Sequence, residues 1–182
     1  MDDLARLAAD AANGDPLAAA ALVRATQNDV WRLCAALGDR DNAEDLTQET
    51  YLRAFAALGR FEGRASVRTW LLSIARRVCA DAVRSRRRRR LMLTPVDADL
   101  EALTGNDGDD PVAESSAVTD LLDRLDPDRR EAFVLTQLVG LPYADAADVA
   151  GCPVGTIRSR VARARADLVA ALGVQEDSAH LR

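Results

Sequence analysis

Lysine is absent from the chain. All 24 basic residues are arginine, which together with the abundance of alanine speaks of a coding sequence rich in G and C. Histidine occurs once, at His180 in a polar tail, where it reads as solvated. Cysteine is scarce: Cys34, Cys79 and Cys152 stand alone and never in a paired spacing, so neither a disulfide framework nor a zinc site is expected. Each reads as a small buried hydrophobe in a reducing cytosol. No signal peptide and no apolar run of membrane-spanning length is seen, and the expectation is a cytoplasmic protein without membrane contact. Aromatic residues make up only 4% of a chain that is 48% hydrophobic. Its cores must therefore be built from Leu, Val and Ala, which favours helices. Strand-like alternation of β-branched residues is missing as well. The expected fold class is all-α, and 182 residues suit one large domain or two small ones.

What the chain does have is charge segregation. The formal net charge is -5, yet ten arginines and a single acid, Asp81, lie between Arg64 and Arg90. Seven acids and no base lie between Asp97 and Glu114. A local positive field attracts nucleic acid even when the whole is acidic.

Helix signals divide the sequence. Asp15-Pro16 is an N-cap acid followed by a first-turn proline, and Leu17, Ala20, Val23, Val30, Leu33 and Leu37 carry that helix to Gly38. A helix from about Asp41-Asn42 bears Ala43, Leu46, Tyr51, Ala54, Phe55 and Leu58. On another face Asp45, Gln48 and Glu49 recur at spacings of three and four. That face is either solvated surface or a docking patch for a basic partner. A catalytic carboxylate pair is set aside because no histidine, nucleophile or metal ligand accompanies it. Ser66 is the expected N-cap of a helix whose apolar stripe runs Val67, Trp70, Leu71, Ile74, Ala75, Val78 and Ala82, flanked by Arg68, Arg76, Arg77, Arg84 and Arg86 to Arg90. Trp70 sits in the stripe and reads as core, with base stacking as the alternative.

Residues 93–110 break periodicity and contain Pro95, Gly105, Asn106 and Gly108, which predicts a flexible acidic linker. The domain organisation read from this is a helical domain over 1–92, the linker over 93–110, a second helical domain over 111–173 and a polar tail over 174–182. In the second domain Leu121, Leu122 and Leu125 mark one helix, and Asp126-Pro127 starts another ending at Gly140. A short helix beginning near Pro142, a corner at Gly151-Cys152-Pro153 and a second helix then follow. The stripe Val154, Ile157, Val161, Ala164 and Leu168 is the expected buried face, leaving Arg158, Ser159, Arg160, Arg163 and Arg165 outside it. Four arginines in eight residues, with no acid before Asp167, favour a DNA-binding helix-turn-helix over an ordinary solvated hairpin.

Three ordered segments carry a resemblance: Asp45-Leu46-Thr47-Gln48-Glu49-Thr50-Tyr51-Leu52-Arg53-Ala54, Arg68-Thr69-Trp70-Leu71, and Cys152-Pro153-Val154-Gly155-Thr156-Ile157-Arg158-Ser159-Arg160. Their order and spacing resemble the extracytoplasmic-function (group IV) sigma factors of bacterial RNA polymerase, over nearly all of residues 15–172. The resemblance implies that Asp45, Gln48, Glu49 and Arg53 dock on the β′ clamp helices of core RNA polymerase. It implies that the 61–66 loop and the following helix read the promoter −10 element and capture an unstacked base, through Phe61, Arg64, Ser66, Arg68, Arg76, Arg77 and Arg84. It further implies that Thr156, Arg158, Ser159, Arg160 and Arg163 read the −35 element. The β flap and an anti-sigma factor are the other partners it implies, and the linker would thread the RNA exit channel. Two departures stand out: Ala162 replaces a bulkier residue of some relatives, and Trp70 is the one evident aromatic of the melting region. Melting is therefore expected to depend on a closely fitting promoter.

The expected function is thus a non-enzymatic promoter-recognition subunit. The alternative is a stand-alone helix-turn-helix regulator working through residues 111–172, for which the first domain offers neither dimer interface nor ligand pocket. A third reading makes the chain an interaction protein with the linker as its active part.

Overall fold

Acid side chains set the helix starts in both halves of the chain. Asp15 accepts from the Leu17 and Ala18 amides at 2.8 and 3.3 Å, and Asp126 accepts from the Asp128 amide at 3.0 Å. Ser66 likewise accepts from the Thr69 amide at 3.0 Å. Each satisfies a donor that the first helical turn leaves unpaired, worth about 1 kcal/mol. The computed structural model describes residues 3–38, 40–92 and 120–179, and every regular element among them is helical. The first domain comprises α1 (Asp3–Ala12), α2 (Pro16–Leu37), α3 (Ala43–Leu58) and α4 (Val67–Met92). The second has a short helical stretch at 120–123, then α5 (Pro127–Phe133), a π-helical turn (Val134–Leu138), α6 (Tyr143–Ala150) and α7 (Val154–Ala179).

In the first domain α2, α3 and α4 pack pairwise around a core of Val30, Leu33, Leu46, Tyr51, Leu71 and Leu72. Thr26 is buried in the same face of α2, where its hydroxyl donates to the Leu22 carbonyl at 2.7 Å and lies 2.8 Å from the Tyr51 hydroxyl. In the second domain α5 packs on α7 and is tied to it by Arg129 and Asp167 at 2.7 Å. The π turn closes with the Val139 amide on the Val134 carbonyl at 2.9 Å. Gly140, at φ +77°, then turns the chain so that the Leu141 amide reaches the Leu135 carbonyl at 2.9 Å. This wide exit buries Val134, Leu135 and Val139 and leaves the Val139 carbonyl pointing away from its own helix.

The two domains share one core. A single buried cluster extends from Val30 through Ala75 and Val134 to Ile157 and Ala164. Helix α4 packs against α6, and α2 packs against the π turn.

Several details differ from the sequence reading. Leu17 is 78% exposed and Ala20 is exposed, because the buried line of α2 runs through Ala18, Leu22 and Thr26 instead. Val154 is exposed, since at the first turn of α7 the apolar stripe has not yet reached α5 and α6. Pro142 is the N-cap of α6 rather than its first helical residue, and its carbonyl accepts from the Ala146 amide at 2.9 Å. Helix α7 continues through Gly173 to Ala179. The linker at 93–110, the beginning of the second domain at 111–119 and His180 lie outside the described residues.

Candidate nucleic-acid interfaces

The corner between α6 and α7 is made by Gly151, whose φ of +67° and ψ of 38° suit a residue without a Cβ, and the Cys152 amide closes it on the Ala147 carbonyl at 3.1 Å. Ile157, Val161 and Ala164 of α7 are buried against α5 and α6. That fixes the phase of the helix and turns Arg158, Ser159 and Arg163 to solvent, with Thr156 half-buried at the first turn. Arg160 does not join them: its guanidinium folds back to the Asp128 carboxylate on α5 and approaches Cys152 Sγ at 3.7 Å. Arg165 bonds Gln137 Oε1 at 2.8 Å. The basic helix thus has an outward set, Arg158 and Arg163, and a set that braces the motif.

The second basic surface is on α4 and the 61–66 loop. Ser66 spends its hydroxyl on capping α4 and on Thr69 Oγ1 at 2.8 Å. Phe61 packs against Trp70 with ring centroids 4.8 Å apart and planes tilted by 43°. These rings line an open cavity of about 240 Å³ together with Arg60, Arg64, Ser73 and, from α6 of the other domain, Asp148. Trp70 is therefore both a half-buried core residue and a cavity wall. Arg68 bonds Asp29 at 2.7 Å and donates to the Val139 carbonyl at 2.6 Å. Arg76 makes a two-point contact with Glu131 of α5. The Glu131 carboxylate raises the Arg76 pKa still further, so that guanidinium is charged at every relevant pH. Arg64, Arg77 and Arg84 remain exposed, Arg64 beside Glu62 at 3.1 Å and Arg84 beside Asp81 at 2.5 Å.

The third surface is the outer face of α3. Asp45 and Gln48 are exposed and Glu49 is partly so. Arg53 is held by Glu49 at 2.7 Å and by Asp81 at 2.9 Å, which links α3 to α4. The contacts with Arg53, then Arg84, hold the Asp81 carboxyl below its usual value. Asp45 also lines a groove with Leu46, Val83, Arg86 and Arg89. Exposed Leu52 gives this polar face an apolar centre.

The sequence missed the carboxylates that hold these arginines, Asp29 and Glu131. Nothing marks them locally, since their partners lie 39 and 55 residues away. Asp81 carried a signal as the single acid of the arginine run. Among the described residues no cluster of His, Cys, Asp or Glu is arranged to hold a metal ion, and no helix is long and apolar enough to cross a membrane.

Two helical domains, one presenting an outward arginine helix after a tight turn and the other an arginine-lined aromatic cavity, have the surface chemistry of a DNA-binding protein. Residues 22–89 match the sigma-70 region 2 family and residues 115–168 match sigma-70 region 4. The chain is 53% identical over 170 residues to the ECF RNA polymerase sigma factor SigC of Mycobacterium tuberculosis, covering 90% of this chain and 88% of that protein. The probable RNA polymerase sigma-C factor of Mycobacterium bovis matches to the same extent. Among solved structures, CnrH in complex with the cytosolic domain of CnrY superposes with a TM-score of 0.75 at 30% identity, covering 95% of this chain and 99% of that one. The sigma factor RpoE of Bartonella quintana, in complex with the anti-sigma factor NepR, superposes with a TM-score of 0.66 at 29% identity, covering 84% and 94%. This chain belongs to the extracytoplasmic-function sigma factors of the sigma-70 family, the proteins that direct promoter-specific transcription initiation.

Proposed function

We propose that the chain docks on core RNA polymerase through the α3 face and divides promoter recognition between its two domains. Asp45, Gln48, Glu49 and Arg53 form the docking surface for the β′ clamp helices, with Leu52 at its centre. The single observation that most supports this is their placement on one face of α3, largely exposed and fixed to α4 through Arg53 and Asp81.

The −10 element belongs to the first domain. Phe61, Arg64 and Trp70 line a cavity wide enough for one unstacked base, with Ser66 beside it capping α4 and Arg68, Arg76, Arg77 and Arg84 following the strand phosphates. Exposing a base costs a few kcal/mol, offset by stacking on the aromatic wall and by the phosphate contacts. The −35 duplex belongs to α7, where Arg158 and Arg163 are the outward cations. A bidentate arginine-guanine contact discriminates by about 1–3 kcal/mol. Arg160 supports from behind through Asp128, with Thr156 and Ser159 at the start of the helix. The β flap and an anti-sigma factor complete the partners. The working domains are taken as 1–92 and 111–173, joined by the acidic segment 93–110.

Run-off transcription with core polymerase and a genomic promoter library tests this reading. The expected result is RNA starting at a discrete set of sites, lost when Asp45 and Gln48 are both changed to Ala. Arg158→Ala should relax one base position, whereas Arg163→Ala, if it meets phosphate, should weaken all sites alike. Tight duplex binding without polymerase, and no polymerase-dependent RNA, would favour the stand-alone regulator.

A further inference from the structure

We propose that Cys34 and Cys79 form a reversible modification site: a hydroperoxide joins them in a disulfide that pins α2 to α4 around α3. The site lies wholly in the first domain and owes nothing to the promoter assignments. All three cysteines are free thiols. Cys152 stands alone at the corner of the second domain, whereas Cys34 and Cys79 meet inside the first. They are 0% and 2% exposed in one buried cluster, on helices α2 and α4 that pack directly against each other. Each thiol is the other's hydrogen-bond partner, and the hydroxyls of Thr47 and Thr50 reach Cys34 from α3. Three helices thus converge on one sulfur pair. The pair is asymmetric. The Cys79 thiol, bonded to the Cys34 sulfur, draws the Cys34 pKa below its ordinary value, although burial opposes this. The same bond, and then burial, push the Cys79 thiol up. One sulfur is favoured as the attacking thiolate and the other holds its proton, as in a dithiol couple.

A buried pair needs a way in, and Gly38 supplies it. A Cβ on Gly38 would stand 3.4 Å from Cys79 Sγ and 2.8 Å from the Cys34 carbonyl oxygen, so only a residue without a side chain fits there. Gly38 in turn lines a groove of about 270 Å³ with Leu46, Ala82 and Val83. The Cys79 sulfur therefore lies directly behind the glycine of the groove, and a small displacement of this corner admits a solute little larger than water. The oxidation is balanced by hydrogen peroxide alone. The Cys34 thiolate attacks one peroxide oxygen, the O–O bond breaks, and the departing hydroxide takes up the thiol proton as water. Cys79 then attacks the sulfenic sulfur of Cys34, the S–S bond forms, the S–O bond breaks, and the second water carries away the Cys79 proton. A thiol reductant reverses the change, as a reducing cytosol requires of a disulfide that is not permanent. The loop that the bond closes contains the whole of α3 (Ala43–Leu58). Closing it restricts the unfolded chain and so favours the folded first domain.

The test treats the full reduced chain with hydrogen peroxide at neutral pH, then blocks the remaining thiols in denaturant and maps the peptides by mass spectrometry. The expected product is a single intramolecular species joining Cys34 to Cys79, lighter by two hydrogens and restored by dithiothreitol. Cys34→Ala and Cys79→Ala should each abolish it. At a fixed urea concentration, tryptophan fluorescence should show the unfolded-to-folded ratio of the oxidised protein reduced by about tenfold or more, an effect that either variant lacks. Mapping of the wild-type chain decides the matter even where a variant does not fold. Free thiols at both positions after treatment, a sulfinic acid at either without a cross-link, or a bond that forms only once urea has unfolded the chain overturns the site. A bond that forms in the folded protein but leaves the unfolding midpoint unmoved overturns the pinning of α2 to α4.

Discussion

Arg68 and Arg76 on α4 lie against Asp29, the Val139 carbonyl and Glu131, whereas Arg158 and Arg163 on α7 project into solvent. The side chains are the same and both helices carry a buried apolar stripe. The difference lies in position: α4 is central, packed by α2, α3 and α6, while α7 is peripheral, packed by α5 and α6. A cation on a central helix meets whatever its neighbours present. On a peripheral helix the cations that face away from its neighbours, Arg158 and Arg163, keep their hydration and their readiness for DNA, whereas Arg160 is held by Asp128. Arginine count therefore says where nucleic acid is attracted, and packing says which cations are available.

The shared core gives the comparison its largest test. Leu135 is fully buried in the π turn of the second domain, and Leu135→Ala should cost about 2–5 kcal/mol. Both tryptophans, Trp31 and Trp70, belong to the first domain, so their fluorescence reports that domain while circular dichroism reports all helices. In urea the variant should shift both signals to the same lower midpoint. A tryptophan midpoint left at the wild-type value would mean that the domains unfold independently and that α4 is not held by its neighbour.

Next in size is the contrast between the arginines themselves. Arg76→Ala strands the mostly buried Glu131 and should cost about 2–3 kcal/mol, less than a fully buried pair because Arg76 keeps 34% of its side chain exposed. Arg158→Ala should change stability by no more than about 0.5 kcal/mol while reducing DNA binding. Adding Glu131→Ala to Arg76→Ala should recover part of the loss, since the orphaned carboxylate is then gone. Equal melting of the Arg76→Ala and Arg158→Ala proteins would erase the distinction between the two surfaces.

The peripheral motif depends instead on its corner. No atom lies within 4 Å of where a Cβ on Gly151 would sit, so Gly151→Ala tests backbone strain alone. At φ +67° it should cost about 1–2 kcal/mol. Tryptophan-detected and dichroism-detected midpoints again distinguish local loosening of the motif from loss of the whole fold.

The sequence made the helices, their capped starts at Asp15, Ser66 and Asp126, and the turn at Gly151 legible, because these are local devices a few residues long. It also separated the outer face of α3 from its core. Thr26 escaped notice because a threonine in a buried stripe reads as polar until Tyr51, 25 residues on, is seen to share its hydroxyl. Leu17 misled for the opposite reason: an apolar residue in the first turn fits helical phase whether or not anything covers it. The role of Arg160 was beyond helical phase altogether, since phase gives direction and Asp128 on α5 supplies the partner. Whether the domains meet was equally invisible, because the bonds of Arg68, Arg76 and Arg130 across the contact join residues 55 to 94 positions apart.

The smallest expected effect concerns an exposed network that belongs to neither extreme. Asp81 bridges Arg53 on α3 and Arg84 on α4, and these contacts, Arg53 first, lower its carboxyl pKa in the folded chain. In the unfolded chain the group titrates near its ordinary value of about 3.9. Above that value the carboxylate is charged in both states and its contribution is fully present. As the pH falls, the unfolded state takes up the proton first, and the contribution drains away through the lower folded value. With nearly half of the Asp81 side chain in water, screening keeps the effect below about 1 kcal/mol. Stability measured by urea titration should thus fall less steeply below pH 4 in Asp81→Asn than in wild type, and the gap between the two proteins should close at the acid end. The same substitution releases Arg84 from its one described carboxylate partner, making an α4 arginine resemble Arg158. Its strand binding should then rise modestly and become more salt-dependent, because a cation freed from a carboxylate displaces counterions from a phosphate instead.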